Sequence, residues 1–429
     1  LWSRPVVLPR PDPARPNLVL ISLDTLRADH LGAYGYTRHV SPSIDRLARQ
    51  GVLFERAISQ APWTTPSHMS LFTSLYPTVH AVDSPTTVRQ RRLAPGKTTL
   101  AEILSGAGYA TAAFTGSGSI SALYGFWHGF SVYDETDEDV KGRESEDVSE
   151  IFGKASRWLV EHRDLPFFLF FHTYEIHYPY THDTFLDQAP PGDEAARETA
   201  LYDGDIFQAD AFVGHLVDLI DSLGIRGRTI IVLLSDHGEE LDPRYPGKPL
   251  RHGHSVYQDL LHVPLVISAP PPAAAGLRVA PMVEIIDVMP TLLDLLHVPV
   301  PGDLQGVSLA AALSGGAVPE RDAFSEATNY GPERKAIQDG RFKYIRTYPR
   351  TEKPAREIPV PVPPEELFDL EADPGERHSL LDAAPPALAR LRAEMDALVK
   401  ANQARRGKAS DLRLDDETLE RLKALGYVD

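Results

Sequence analysis

Short apolar runs rich in β-branched and aromatic residues recur along the chain: LVLISL (18–23), ATAAFT (110–115), FFLFFH (167–172), TIIVLLS (229–235) and PLVIS (264–268). Continuous rather than alternating hydrophobicity over so few residues predicts strands buried on both faces. The intervening segments repeat at helical spacing. SIDRLARQG (43–51) carries a Ser cap, apolar Ile44, Leu47 and Ala48, and a stopping glycine. TTLAEILSGAG (98–108) repeats that design, DIFQADAFVGHLVDLI (205–220) predicts a longer helix, and VMPTLLDLLHV (288–298) another with Pro290 near its start. Strands alternating with helices predict an α/β fold with a mostly parallel sheet covered on both faces.

The pattern changes near residue 330. KAIQDGRFKYIRTY (335–348) reads as a hairpin about Asp339-Gly340, followed by a Pro-rich loop, a short strand with a polar turn, a charged helix over 386–405 and a last helix at the C-terminus. The chain is therefore divided into a Pro-rich tether (1–16), a catalytic α/β domain (17–330) and a small α+β subdomain (331–429).

APWTTPSHMSLFTSLYP (61–77) predicts a helix with Thr65 as N-cap and Pro66 in its first turn, Met69, Phe72 and Leu75 lining one face. Thr64 falls just ahead of it, where unpaired N–H groups favour negative charge, so its hydroxyl is a candidate nucleophile as well as part of an ordinary capped helix.

With 42% hydrophobic and 24% charged residues among 429, the composition is that of a soluble globular protein with a large core. The formal net charge of −17 argues against a nucleic-acid partner but leaves a small anionic substrate open, because a metal and local dipoles override global charge. The absence of cysteine excludes disulfides, thiolate metal sites and cysteine nucleophiles. No apolar run is long enough to span a membrane. The chain starts at Leu1, so an upstream leader or anchor, with a periplasmic or secreted location, is compatible with it, and so is the cytoplasm. The sequence assigns no oligomeric state.

Ligands of open α/β sheets gather at strand carboxyl ends. Asp24 follows the first apolar run, Asp236 and His237 follow another, and Thr64 stands at a helix start. Two carboxylates, an imidazole and a hydroxyl would complete the sphere of one divalent metal, which would acidify the Thr64 hydroxyl and polarise a phosphoryl or sulfuryl oxygen.

From PNLVLISLDTLRADHLGAYGY through SPSIDRLARQGVLFERAIS, SDHGEE, GHSVYQDLLHVPLVI and LFDLEADPGERHSLL to LKALGYV, the chain resembles the sulfatase and phosphonate monoester hydrolase branch of the alkaline phosphatase superfamily. The resemblance implies an α/β/α sandwich with a small C-terminal subdomain, and places Thr64 at the nucleophile position, where sulfatases carry a Cys or Ser oxidised to formylglycine. With Thr there, no formylglycine is expected. Relatives with an unmodified Thr act on phosphodiesters or transfer phospho-headgroups. A second departure is Asp24-Thr25 and Asp236-His237 where sulfatases carry Asp-Asp and Asp-Asn; Thr25 is taken as a substrate contact, and the imidazole favours zinc or manganese, with calcium possible.

The resemblance also puts His177 in a His-x-Pro-like position that binds the transferred group and His254 where relatives keep a lysine, protonating the leaving group or neutralising an oxygen; a solvated loop histidine is the alternative for His254. His172 reads as a structural strand-end histidine or a second substrate contact. His68 replaces a buttressing arginine, either bonding Thr64 or facing the helix surface. The preferred function is a metal-dependent hydrolase of phosphate or phosphonate esters, most plainly diesters, through a phospho-threonine. A sulfatase acting without formylglycine, a headgroup transferase and an inactive binding homologue are the alternatives.

Overall fold

In the computed structural model, the structure describes residues 15–83, 90–94, 96–136, 146–244, 250–350, 357–358, 361–383, 385–408 and 410–412. Most of the expected tether and the expected C-terminal helix lie outside the described residues. The apolar runs form a nine-stranded sheet whose central strand, Asn17–Leu23, is entirely buried between Phe167–Thr173 and Thr229–Leu234. Both neighbours are parallel to it. Outward on one side follow Ala110–Thr115 and Val132–Glu135; on the other, His262–Ser268, which is antiparallel to both of its neighbours, then Val52–Ile58.

Alternate residues feed two cores. Leu18 and Leu20 of the central strand, with Ile230, Val232 and Leu234 of its neighbour, pack with the helices Thr64–Thr73, Leu100–Gly106 and Val288–Leu295. Val19, Ile21 and Leu23 face Pro42–Gln50, Glu146–His162 and Glu194–Ser222. The result is an α/β/α sandwich in which each fully buried aliphatic side chain contributes about 1.5–3 kcal/mol. An antiparallel four-stranded sheet takes its first strand from Ala323–Ser325, ahead of the expected hairpin, and the helix Pro386–Ala404 packs on it. Gly340 (φ +93°) closes the hairpin between Glu333–Gln338 and Phe342–Tyr348.

Three elements differ from expectation. Val52–Ile58 is a strand that the apolar runs do not reveal, because Glu55 and Arg56 interrupt it at a register shift between Phe54 and Ala57. The long helix begins at Glu194 rather than 205, its polar first turns started by Asp193, whose side chain accepts Ala196 N–H at 3.0 Å. The helix expected at 43–51 is Pro42–Gln50, and it is capped from outside: Asp210 accepts the N–H groups of Ser43 and Ile44 at 2.9 and 2.7 Å. No helix among the described residues is long and apolar enough to cross a membrane.

Candidate active site

Register explains why distant residues meet. Ser22 of the central strand pairs with Leu234 on one side and His172 on the other. Asp24 lies two residues beyond Ser22 and Asp236 two beyond Leu234, so the two carboxylates emerge at matched positions of adjacent parallel strands. Asp24, Asp236 and His237 are all buried, and each offers one ligand atom within 4.8 Å of the others.

The Thr64 helix completes the group. It starts at Thr64 itself, after Trp63, so Thr65 is not the N-cap; its hydroxyl instead donates to Ser119 O at 2.6 Å. All ten helical residues are buried, which removes the one-faced pattern expected of a surface helix. Two side chains fasten the helix to the strand ends: Ser67 Oγ donates to Asp236 O at 2.7 Å, and His68 Nε2 meets Ser22 Oγ at 2.9 Å. Thr64 Oγ1 is thereby held 3.2 Å from Asp24 Oδ2 and 3.2 Å from His237 Nε2.

Hydrogen bonding fixes the tautomers. A carbonyl can only accept, so His68 carries its proton on Nδ1, which donates to Thr64 O at 3.1 Å, and Nε2 accepts the Ser22 hydroxyl. His237 likewise donates Nδ1–H to Gly238 O at 2.8 Å, turning the Nε2 lone pair toward Thr64. Burial pulls His68 and His172 down to about 4, so both are neutral at pH 7.

This donor set fits a cation. Asp24 Oδ2 and the His237 lone pair both face a single hydroxyl, which has one proton to give. Asp236 Oδ2, fully buried, makes no hydrogen bond of good geometry among the described residues, although it stands 3.3 Å from His68 Nδ1 and 3.4 Å from His237 Nε2. Buried carboxylate and imidazole atoms converging within 4.8 Å of one another are an arrangement that can hold a divalent metal.

The remaining candidates are placed as follows. His172 is buried with Nε2 3.6 Å from Asp24 Oδ2 and its ring edge-on to His68 at 5.1 Å. His177 donates Nδ1–H to Tyr178 O at 2.6 Å, and its ring stands 5.0 Å from that of His252. His254 is buried rather than solvated and lies against Glu240, Nε2 to Oε1 3.5 Å. Thr25 sits at φ +58°, its hydroxyl facing the carbonyls of Asp24 (2.8 Å) and Ile176 (3.1 Å).

Two residues escape sequence reasoning. Glu239, at the end of the charged stretch SDHGE, is fully buried, and burial pushes its carboxyl up to about 7. It accepts Nδ1–H from His252 at 3.1 Å, and the His252 ring stands 4.6 Å from that of His237. The only signal was the repeated histidine of HGH (252–254).

A profile of the Sulfatase family matches residues 16–298, and one described as N-sulphoglucosamine sulphohydrolase, C-terminal, matches 252–405. The chain is 25% identical to an ulvan-active sulfatase of Formosa agariphila, over 92% of this chain and 82% of that one. It is also 25% identical to arylsulfatase A of Bos taurus, covering 92% and 91%. A phosphonate monoester hydrolase of Agrobacterium radiobacter superposes with a TM-score of 0.73 at 22% identity, covering 93% of this chain and 97% of that one. With a strand-end cluster that could hold a metal on a sheet of this topology and a family profile spanning most of its length, the chain belongs to the sulfatase family of ester hydrolases.

Proposed function

We propose that the protein hydrolyses phosphate or phosphonate esters, diesters above all, with Thr64 as the nucleophile. The observation that carries this reading is the position of Thr64 Oγ1, 3.2 Å from both Asp24 Oδ2 and His237 Nε2. A divalent cation bound by Asp24, Asp236, His237 and Thr64 would lower the hydroxyl pKa and polarise an ester oxygen. Thr64 Oγ1 attacks phosphorus in line with the leaving oxygen; the hydroxyl proton departs to an acceptor and the P–O bond to the leaving group breaks. His68 holds the Thr64 backbone during the displacement through its Nδ1–H bond. His177, His172 and His254 are assigned to the transferred group, and water then attacks phosphorus and frees Thr64.

The chemistry of threonine supports phosphorus over sulfur. Oxidising Cys or Ser at Cβ gives an aldehyde that hydrates readily, whereas a Thr Cβ bears a methyl group and oxidises to a ketone that hydrates poorly. A threonine side chain thus cannot supply the gem-diol on which formylglycine chemistry depends.

Sulfate-ester hydrolysis is the second reading, favoured by the sulfatase names of the relatives. Steady-state kinetics with nitrophenyl phosphodiester, phosphonate and sulfate, together with the metal content, separates the two. Higher kcat/KM for the phosphorus esters is expected. A preference for sulfate rejects the proposal.

A further inference from the structure

Two chain segments carry buried histidines toward His237 and meet again further out. The ring of His252 stands 4.6 Å from that of His237 and 5.0 Å from that of His177. Arg251 precedes His252 and Tyr178 follows His177, and these two stack, the guanidinium carbon 4.0 Å from the centre of the Tyr178 ring. Tyr178 is nevertheless 44% exposed. Among the large apolar side chains that the described residues expose, it alone is next in sequence to a site residue. With one face under Arg251, the face that water reaches is the other one. Binding sites place aromatic side chains where a ligand's ring will lie.

The stack is held from behind. Arg251 pairs with Glu198, and its Nη1 donates to the Tyr180 hydroxyl at 3.4 Å. Its carbonyl accepts Glu240 N–H at 2.9 Å, with the backbone at φ +70°, a left-handed conformation that residues with a side chain seldom adopt. Gly253 N–H donates to Pro62 O at 2.8 Å, which stitches the same loop to the segment entering the Thr64 helix. On the other side, Tyr178 O accepts Nδ1–H of His177 at 2.6 Å, and the Tyr180 ring stands edge-on to that of Tyr178 at 5.6 Å. A ring braced in this way loses little freedom when a ligand stacks on it. The guanidinium also selects the ligand. A cation on the covered face draws electron density from the ring, which weakens the hold of the open face on the C–H groups of a sugar and favours an offset π ring. Resting on the ester-hydrolase reading above, we propose that Tyr178 determines specificity for the leaving group, and that this group carries a planar aromatic ring.

Steady-state kinetics on the full chain with benzyl methyl phosphate and cyclohexylmethyl methyl phosphate tests the assignment, because both release a primary alcohol and only one of the rings is planar. Benzyl and cyclohexylmethyl sulfate form the parallel series. The parent is expected to show a KM about three- to tenfold lower for the benzyl ester. Tyr178→Ala and Tyr178→Leu should raise that KM to the cyclohexylmethyl value, the loss falling on KM rather than kcat, and Tyr178→Phe should keep the preference. A benzyl preference found only among the sulfates supports the platform and rejects the phosphoryl reading. No turnover in either series removes the ester-hydrolase reading and the proposal with it. Equal KM for the two rings in a series that is turned over, a preference that Tyr178→Ala leaves intact, or one that Tyr178→Phe loses overturns the proposal alone.

Discussion

The backbone carbonyl of Thr64 accepts the Nδ1–H of His68, 3.1 Å away and one turn along the same helix, while the opposite ring nitrogen takes the Ser22 hydroxyl. One imidazole therefore ties the candidate nucleophile to the strand that delivers Asp24. Replacing it by alanine strands two buried polar groups and opens a cavity. We expect His68→Ala to lower the unfolding free energy by about 1–3 kcal/mol, and to lower kcat with KM nearly unchanged. Urea denaturation and steady-state kinetics check both; full stability with full activity would show that the tie does nothing.

Metal removal gives a separate expectation. Because the Asp24, Asp236 and His237 ligand atoms converge within 4.8 Å, dialysis against a chelator should abolish turnover and lower Tm, and zinc or manganese should restore both. Asp236→Asn should require more added metal for the same recovery. Turnover that survives with no bound metal, measured by elemental analysis, contradicts this assignment.

The pH dependence of stability has a source outside the active site. His80 is fully buried, its Nδ1 accepting Val82 N–H at 3.0 Å and its Nε2 near Ser70 Oγ at 3.1 Å, and burial pulls it down to about 3. A histidine depressed in the folded state binds its proton first in the unfolded chain. Its stabilisation is complete above about pH 6.5 and is lost as pH falls toward 3, amounting to about 2–3 kcal/mol by pH 4.5. Urea midpoints at pH 7 and 4.5 should differ less in His80→Gln than in the parent. Equal pH slopes would refute the role of His80.

Asp210 caps a helix that is remote from it in sequence, accepting the N–H groups of Ser43 and Ile44. Asp210→Ala should cost about 0.5–2 kcal/mol, a capping-sized loss, with the metal content unchanged. A neutral effect on the urea midpoint would show that solvent replaces the carboxylate.

How much of this was legible in the sequence follows from where the information lies. The central strand reads as 18–23 and is Asn17–Leu23, because an apolar run bounded by polar residues specifies a buried strand locally. Asp24 and Asp236 stand out because each follows such a run. Thr64 is less plain: its helix is buried on all sides, so periodicity says nothing of which face meets the strands. Glu239 and His252 are illegible, since the segments that bury them come from elsewhere in the chain and a carboxylate among charged neighbours reads as solvated. The first turns of Glu194–Ser222 are missed for a related reason: their stability comes from a cap at Asp193 rather than from an apolar stripe.

The central claim is that the Thr64 hydroxyl, unmodified, becomes covalently bonded to phosphorus during turnover. Rapid acid quench with a phosphodiester substrate, followed by peptide mass spectrometry, tests it directly. The account predicts an unoxidised Thr64 in the resting protein and a phosphoryl adduct on that residue in the quenched sample, absent from Thr64→Ala. An adduct on another residue, or full turnover by Thr64→Ala, would contradict it.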